Sequence, residues 1–123
     1  MKYLEVTKIF RFSAAHKLPN HQGLCKELHG HNYKLEVTIG GAVKENSDPE
    51  KGMVIDFSNV KTIVNETVMS TWDHRLLNEF MENPTAENMV LAIAKTLRAK
   101  RLNIVRLKLW ETDDSFVEWF IRL

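Results

Sequence analysis

Residues 33–39 read YKLEVTI, and the regular alternation of apolar and polar side chains in this stretch decides the fold class. The odd-numbered residues are apolar, and the even-numbered residues are charged or carry a hydroxyl group. A two-residue period is typical of an antiparallel strand with one face in the core and the other in water. The stretch YLEVTKIFRF, residues 3–12, is rich in β-branched and aromatic residues and predicts a preceding strand.

The elements after this strand indicate an α+β fold. Residues 40–52, GGAVKENSDPEKG, are rich in turn-forming residues and predict a loop. The apolar period then changes to three and four residues, which predicts amphipathic helices. The predicted elements are helices at 56–72 and 85–101 and strands at 104–112 and 116–122. The order β-β-α-α-β-β places two helices on one face of a four-stranded antiparallel sheet.

Length, charge and cysteine content restrict the class of protein. The 123 residues suit one domain, spanning 1–123, that buries a core without disulfides. The formal net charge is +1, so nothing indicates binding to nucleic acid or to an acidic membrane surface. The first ten residues lack the apolar segment of a signal peptide, and no stretch is apolar enough to span a membrane. These features predict a soluble, cytoplasmic protein.

Residues 25–31 read CKELHGH and place one thiol and two imidazoles, which are candidate metal ligands or catalytic groups, within seven residues. Extending the period of the second strand backwards places His29 and His31 on its inward face, because side chains two residues apart point the same way. Two neighbouring imidazoles repel each other when protonated, and each needs a partner when neutral. Either they share a divalent cation, or each forms hydrogen bonds with backbone groups or water.

A third histidine favours the cation. His16 lies in RFSAAHKL, just beyond the first predicted strand. If the first two strands pair, His16 and His29 lie at the same end of the sheet. Three neutral imidazoles suit zinc and leave the fourth coordination position open, as in catalytic zinc sites. His21, in the loop LPNHQG, is interpreted as a solvent-exposed residue.

The remaining candidate residues each have alternative interpretations. Cys25 could close the metal site as a fourth ligand, remain an inert buried thiol, or act as a thiolate beside the metal. Asp73 and His74 form either a carboxylate–imidazole pair or a turn cap beside a surface residue. Glu111 ends the apolar face of the third strand, where a carboxylate is costly unless it is paired. It either receives two N–H groups from a planar ligand ring or reaches solvent.

Six motifs occur together and in order: FSAAH, CKELHGHNY, GMVIDFSNVK, DHRLLN, NPTAENM and WETDDS. Over nearly its whole length the chain resembles the 6-pyruvoyl-tetrahydropterin synthase family, and within it the 6-carboxy-5,6,7,8-tetrahydropterin synthase branch of queuosine biosynthesis. The resemblance implies the tunnelling fold, in which subunits join edge to edge into a barrel. It further implies a trimer or a dimer of trimers, with active sites at the subunit interfaces.

The resemblance also implies roles for individual residues. The residues that match the zinc ligands are His16, His29 and His31. Cys25 matches a catalytic thiol that accepts a proton, and Asp73 and His74 match a pair that relays protons on the opposite side of the substrate. The cofactor implied is therefore Zn²⁺.

On the substrate side, Glu111 matches the carboxylate that anchors the pterin ring. Thr85 and Glu87 match a segment that lines the pterin pocket from a neighbouring subunit. The reaction implied converts 7,8-dihydroneopterin triphosphate to 6-carboxy-5,6,7,8-tetrahydropterin and releases acetaldehyde and triphosphate. The candidate cations for the triphosphate are Lys17, Lys26 and Arg75, and the sequence does not choose among them.

Other activities stay open alongside this one. The three residues between Cys25 and His29 resemble the 6-carboxy branch, because the pyruvoyl branch usually has a longer spacer. A pyruvoyl synthase would eliminate triphosphate without cleaving the side chain. A third branch, in which glutamate replaces the cysteine, forms 6-hydroxymethyl-dihydropterin, and Glu27 keeps that activity open. From the residues alone, a non-catalytic metal- or pterin-binding module and a three-histidine zinc hydratase or hydrolase are further hypotheses.

Overall fold

The computed structural model of the protein describes residues 2–122, and its frame is a four-stranded antiparallel sheet. The strands pair in the order β1-β2-β3-β4. Their bounds are Tyr3–His16 for β1, His29–Ala42 for β2, Ile104–Thr112 for β3 and Ser115–Phe120 for β4. This sheet confirms the predicted four-stranded antiparallel sheet.

The helical part lies between β2 and β3 in the chain. It contains α1 (Phe57–Val64), a π-helical turn (Asn65–Met69), α2 (Ser70–Trp72) and α3 (Ala86–Ala99). Short 3₁₀ turns occur at Leu24–Lys26 and Leu77–Glu79. The Asp56 carboxylate accepts the Ser58 N–H at 2.8 Å and caps α1. No helix among residues 2–122 has the length and apolar character needed to cross a membrane.

The core forms where the inward face of the sheet meets the helices. Leu35 and Val37 of β2 and Leu107 and Leu109 of β3 are each 0% exposed. The helical part covers them with two rows of residues at four-residue spacing: Val60, Val64, Val68, Met89, Ile93 and Leu97. The alternation in β2 and the helical periods therefore identified the two surfaces that pack against each other.

Several boundaries differ from the prediction. β1 does not stop at residue 12 but continues to His16, so His16 lies within the strand rather than beyond it. β2 starts at His29 and ends at Ala42, which removes residues 40–42 from the predicted loop. The β1–β2 ladder runs unbroken to the pair His16↔His29, because backbone hydrogen bonds between strands do not require apolar side chains, and the side chains there are small or polar.

The later elements are shorter than predicted. The second helix ends at Ala99, ahead of Arg101, whose φ of 64° takes the chain out of the helical region. β4 ends at Phe120 instead of residue 122. The helix predicted for residues 56–72 contains the π-helical turn. Hydroxyl groups in and after that turn donate to carbonyls four residues earlier, which loosens a helical ladder: Thr67 to Ile63, Ser70 to Glu66 and Thr71 to Thr67.

A short segment after α2 covers one end of the outer edge of β1. The His74 N–H donates to the Ser13 carbonyl at 2.6 Å, and the Ala15 N–H donates to the Arg75 carbonyl at 3.0 Å. Leu76 forms an isolated parallel bridge with Ala15. This pairing brings Asp73 and His74 to the end of the sheet that carries the histidines of β1 and β2.

Candidate metal centre

Three imidazoles converge where β1 ends and β2 begins. His16 and His29 are cross-strand partners, and His31 is paired with Ala14. The Nε2 atoms of His16 and His29 are 3.0 Å apart. One ring nitrogen from each of the three residues lies within 4.8 Å of the other two. The alternation of β2 produces this cluster, because His29 and His31 continue the inward face of Tyr33 and Leu35.

Backbone carbonyls determine which nitrogen each ring presents. His16 donates through Nδ1 to the Pro84 carbonyl at 2.7 Å, and His29 donates through Nδ1 to the Glu27 carbonyl at 2.7 Å. A carbonyl oxygen only accepts, so the neutral rings carry their hydrogen on Nδ1 and their lone pair on Nε2. Two lone pairs then face each other across 3.0 Å. A cation between the rings satisfies both.

His31 completes the donor set. Its Nε2 is buried and has no hydrogen-bond partner among residues 2–122. Burial lowers the pKa of His31, and the neighbouring His16 and His29 lower it further, while the Glu111 carboxylate partly offsets them. These effects favour a neutral ring with a free lone pair. The three neutral imidazoles have converging nitrogens, and one of these nitrogens, His31 Nε2, is the buried atom without a partner. This arrangement fits a divalent metal ion.

Glu111 and Tyr33 lie beside the cluster. The Glu111 carboxylate, on β3, is 3.8 Å from His31 Nε2 and 30% exposed. It is therefore at the edge of the histidine cluster and still open to solvent. Tyr33 is 1% exposed, and burial with the nearby Glu111 charge raises the pKa of its hydroxyl above the ordinary range. Its hydroxyl lies 3.5 Å from His16 Nδ1.

Asp73 and His74 form a contact although they are adjacent in sequence. The Asp73 carboxylate lies 3.0 Å from His74 Nδ1 and also accepts the Ser13 N–H at 3.0 Å. His74 has a φ of 61°, a left-handed conformation that non-glycine residues adopt rarely and at a cost. Its side chain is 81% exposed, and it lines a cavity together with His31. The carboxylate–imidazole pair is thus the arrangement found here.

Cys25 lies outside the group of converging nitrogens. It sits in the 3₁₀ turn Leu24–Lys26, half-buried, and its carbonyl accepts the Leu18 N–H at 2.8 Å. The cluster contains only imidazole nitrogens. His21 is exposed in the same connection and accepts the Gly23 N–H, so it stays apart from the cluster.

The predicted substrate residues Thr85 and Glu87 lie at the start of α3, next to a backbone carbonyl that contacts the histidine cluster. Thr85 caps α3 by accepting the Asn88 N–H at 3.1 Å, and Glu87 is exposed in the first turn. The carbonyl of Pro84, one residue before the cap, is the acceptor for His16. The start of α3 is therefore attached directly to a histidine of the cluster.

Sequence reasoning missed the groups that act through the backbone. The carbonyls of Glu27 and Pro84 orient two of the histidines, and the Ser13 N–H holds Asp73. Every residue has a backbone carbonyl, so no sequence pattern indicates which way a particular carbonyl points. The pairing of β1 with residues 73–76 could have been suspected only from the need to cover an edge strand.

Fold and site together define a class: an antiparallel sheet backed by helices, with three histidines that could hold a metal ion at one end of its strands. The chain belongs to the 6-pyruvoyl tetrahydropterin synthase family, whose model matches residues 5–120. The structure of Caenorhabditis elegans 6-pyruvoyl tetrahydropterin synthase superposes with a TM-score of 0.84 at 27% identity. That comparison covers 99% of this chain and 98% of the other.

Relatives within the family carry two kinds of name. An Archaeoglobus fulgidus protein, provisionally named 6-carboxy-5,6,7,8-tetrahydropterin synthase, is 50% identical over 107 residues and 87% of each chain. The 6-carboxy-5,6,7,8-tetrahydropterin synthase of Haemophilus influenzae is 31% identical, covering 94% of this chain and 97% of its own. A Pyrococcus furiosus dihydroneopterin monophosphate aldolase is 39% identical, covering 87% and 89%.

Proposed function

We propose that the protein is a zinc-dependent 6-carboxy-5,6,7,8-tetrahydropterin synthase. It converts 7,8-dihydroneopterin triphosphate and one water to 6-carboxy-5,6,7,8-tetrahydropterin, acetaldehyde and triphosphate. The substrate side chain supplies the two electrons that reduce the ring, so no external reductant is required. The observation that carries the proposal is the convergence of three imidazole nitrogens beside Glu111, in a chain 50% identical to a relative with this name.

The metal ligands in this proposal are His16, His29 and His31. When bound, zinc would polarise the oxygens of the substrate side chain and stabilise negative charge that develops on them. The residues themselves supply a neutral donor set, because the Pro84 and Glu27 carbonyls keep hydrogen on the Nδ1 atoms of His16 and His29.

Proton movement is assigned to two groups that lie apart from the ligands. Cys25 lies in the turn just before His29. It accepts a proton from a side-chain carbon or hydroxyl of the substrate. His74 holds or returns a proton on the other side, and Asp73 orients its ring through the 3.0 Å contact. The exposure of His74 gives a substrate access to its free Nε2.

Recognition of the pterin ring is assigned to Glu111. A carboxylate with two free oxygens matches the paired N–H groups of an aminopyrimidinone ring. Thr85 and Glu87 line the pterin pocket of a neighbouring subunit in this proposal; Thr85 is half-buried at the cap of α3, and Glu87 is exposed in its first turn. The active site is then completed by a second copy of the chain, in a trimer or a dimer of trimers.

The experiment that tests this proposal identifies products. Zinc-loaded protein is incubated with 7,8-dihydroneopterin triphosphate, and the products are separated and identified by mass. We expect 6-carboxy-5,6,7,8-tetrahydropterin and acetaldehyde from the wild type and neither from Cys25→Ala, while Lys51→Ala serves as a control on the distant loop. Formation of 6-pyruvoyl-tetrahydropterin alone, or the same turnover by Cys25→Ala, would overturn the assignment.

A second candidate function is cleavage to 6-hydroxymethyl-dihydropterin. Two observations favour it: the 39% identity to a dihydroneopterin monophosphate aldolase, and an exposed glutamate, Glu27, two residues after Cys25. In this case the Glu27 carboxylate would take over the proton transfer. The same assay with dihydroneopterin monophosphate distinguishes the two, since Glu27→Gln should abolish aldol cleavage and leave 6-carboxy-tetrahydropterin formation largely unchanged.

A further inference from the structure

The side-chain amide of Asn78 is hydrogen-bonded to both backbone groups of Lys17, the residue that follows His16. The Lys17 N–H donates to Asn78 Oδ1 at 3.0 Å, and Asn78 Nδ2 donates to the Lys17 carbonyl at 2.9 Å. A primary amide has the donor and the acceptor of a peptide group, so it can take the place of a neighbouring strand. The contact continues the pairing at the edge of β1: Ala15 is bridged to Leu76, and Lys17 and Asn78 lie two residues further along each segment.

Asn78 itself has a firm support. It is half-buried in the 3₁₀ turn Leu77–Glu79, and the Leu77 side chain beside it is 0% exposed in the core. Its Nδ2 group also lies 3.5 Å from the Glu82 carbonyl, at the outer limit for a hydrogen bond. The amide is therefore held by the body of the protein and not by the segment to which it bonds.

The connection between β1 and β2, residues 17–28, is loosely packed. Leu24 is 89% exposed and Leu28 is 63% exposed, and the turn Leu24–Lys26 buries none of its residues. Segments with few buried apolar contacts open locally at low cost. Its backbone hydrogen bonds join residues of the connection to each other: Leu18 to Cys25, His21 to Leu18, Lys26 to Gly23 and Glu27 to Leu24. Within the described residues 2–122, its hydrogen-bonded attachments to the rest of the protein are the Asn78 amide at one end and the His29 ring at the other.

The contact made by Asn78 reaches the turn of Cys25 through one further residue. Leu18, next to Lys17, donates its N–H to the Cys25 carbonyl at 2.8 Å. The path from the amide to the turn therefore consists of two consecutive residues whose backbones are both hydrogen-bonded. On its own segment, Asn78 lies four residues after His74, in the stretch that pairs with the edge of β1. One side chain thus joins the segment of His74 to the turn of Cys25.

We infer that Asn78 is a positioning residue of the active site, whose amide fixes the place of the Cys25 turn relative to the histidine cluster and His74. The inference rests on the proposed function, because that function gives Cys25 and His74 the proton transfers. A displacement of about 1 Å at a reacting group can cost about a hundredfold in rate. Without the amide, β1 still pairs with β2 as far as His16↔His29. The metal ligands should therefore stay in place while the turn moves.

The test uses the thiol of Cys25, the only cysteine in the chain, as a probe of the turn. Zinc-loaded wild type and variants are treated with iodoacetamide, and mass spectrometry follows the rate of alkylation. The reaction is run at about pH 9.5, above the usual thiol pKa of about 8.5, so that ionisation does not decide the rate. Asn78→Ala should react about fivefold faster or more, because two hydrogen bonds that oppose opening of the turn are lost.

Steady-state kinetics and metal analysis complete the test. The kcat of Asn78→Ala should fall by about tenfold or more, because the proton acceptor is misplaced. Its KM should stay within about twofold of the wild-type value, because Glu111, to which ring recognition is assigned, lies on β3 and takes no part in the contact. Its zinc content should equal that of the wild type.

Two further variants keep the result specific. Asn78→Asp keeps an acceptor for the Lys17 N–H and loses the donor to the Lys17 carbonyl, so its alkylation rate and kcat should lie between those of the wild type and Asn78→Ala. The matched control is Asn103→Ala, which removes an amide bonded to the Gly40 carbonyl at 2.7 Å, at the far end of β2. This control should change neither the alkylation rate nor kcat.

The positioning role is overturned if either the alkylation rate or kcat is unchanged in Asn78→Ala, or if Asn103→Ala shows the same changes. Loss of zinc in step with kcat also overturns it, because the amide would then act on His16 and not on the turn. A wild type that forms no carboxylated pterin contradicts the proposed function instead. In that case faster alkylation of Asn78→Ala still supports the hold of the amide on the turn, and an unchanged rate overturns it.

Discussion

At the scale of single residues, the metal centre depends on hydrogen bonds that orient neutral rings. His16 and His29 are each held by a carbonyl oxygen, and His31 retains a buried nitrogen with no partner among residues 2–122. Ligands oriented in this way lose little freedom on binding a metal, and outer partners of this kind commonly raise metal affinity. The centre is therefore prepared by the fold before a metal binds.

The three histidines could be predicted from the sequence, and their surroundings could not. Strand phase placed His29 and His31 on the inward face, and strand pairing brought His16 to them. The contact between Asp73 and His74 needs a left-handed φ at His74, which nothing in the sequence required. The carbonyl partners depend on the path of the backbone, so only the structure shows them.

Asp73→Asn tests the orientation of His74. The amide oxygen can still accept the Ser13 N–H, but the carboxylate that contacts His74 Nδ1 and favours one ring orientation is lost. We expect kcat to fall by tenfold or more, within the range that positioned acid–base groups contribute. Bound zinc and thermal stability should stay close to those of the wild type.

The control for this variant is Asp48→Asn, the same change in a loop remote from the centre. Steady-state kinetics with metal analysis provide the readout. Equal kcat values for Asp73→Asn and the wild type would contradict the role given to this carboxylate.

At the scale of elements, the sequence predicted whether each element is a strand or a helix, but it did not predict the residues at which the elements begin and end. The two-residue and 3.6-residue periods gave the correct order of strands and helices. β1 extends four residues beyond its predicted end, because cross-strand hydrogen bonds continue where the side chains no longer alternate. The π-helical turn arises from local hydroxyl contacts that a period of apolar residues does not register.

Thr85→Ala should destabilise the protein through α3. The Thr85 hydroxyl accepts the Asn88 N–H, and loss of such a cap costs about 1 kcal/mol in the free energy of unfolding. Thr85→Ser keeps the hydroxyl and should retain most of that stability. Chemical denaturation of the three proteins measures the difference. If Ala and Ser variants unfold at the same denaturant concentration as the wild type, the cap contributes nothing.

Glu50 ties the loop before α1 to the helix start and predicts a dependence on pH. It accepts hydrogen bonds from Lys44, from the Asp56 N–H at 2.6 Å and from the Asn59 amide at 2.9 Å. Chiefly through the Lys44 contact, these bonds hold the pKa of Glu50 below its ordinary value of 4.5.

Because the folded-state pKa is the lower one, the contribution of Glu50 is present above pH 4.5 and is lost as pH falls through the folded value. Glu50→Gln should therefore unfold at a lower temperature than the wild type at pH 7, and the gap should narrow below pH 4.5. Melting curves across that range provide the measurement. A gap that widens on acidification would show that the sign is wrong.

At the scale of the whole molecule, both edges of the sheet are partly or wholly uncovered within residues 2–122. Residues 73–76 cover β1 only from Ser13 to Ala15, and β4 has a strand on one side alone. Uncovered edges are pairing surfaces. Apolar side chains lie exposed near both, including Tyr3 at 59%, Leu4 at 54% and Phe120 at 49%. These features support the proposed assembly of several copies.

We expect native mass spectrometry to find three or six copies of the 14.3 kDa chain in each particle. Edge pairing between β1 and β4 of successive subunits accounts for such a closed ring, because a heterologous contact closes when its rotation is a simple fraction of a turn. A fully active monomer at assay concentration would contradict an active site shared between subunits.

The central claim is that three imidazoles, without the thiol, form the metal centre. X-ray absorption at the zinc edge of the metal-loaded protein tests it most directly. We predict about one zinc per chain, with nitrogen or oxygen neighbours at about 2.0–2.1 Å and a spectrum unchanged in Cys25→Ala. A sulfur neighbour at about 2.3 Å, or zinc that His29→Ala retains in full, would contradict the account.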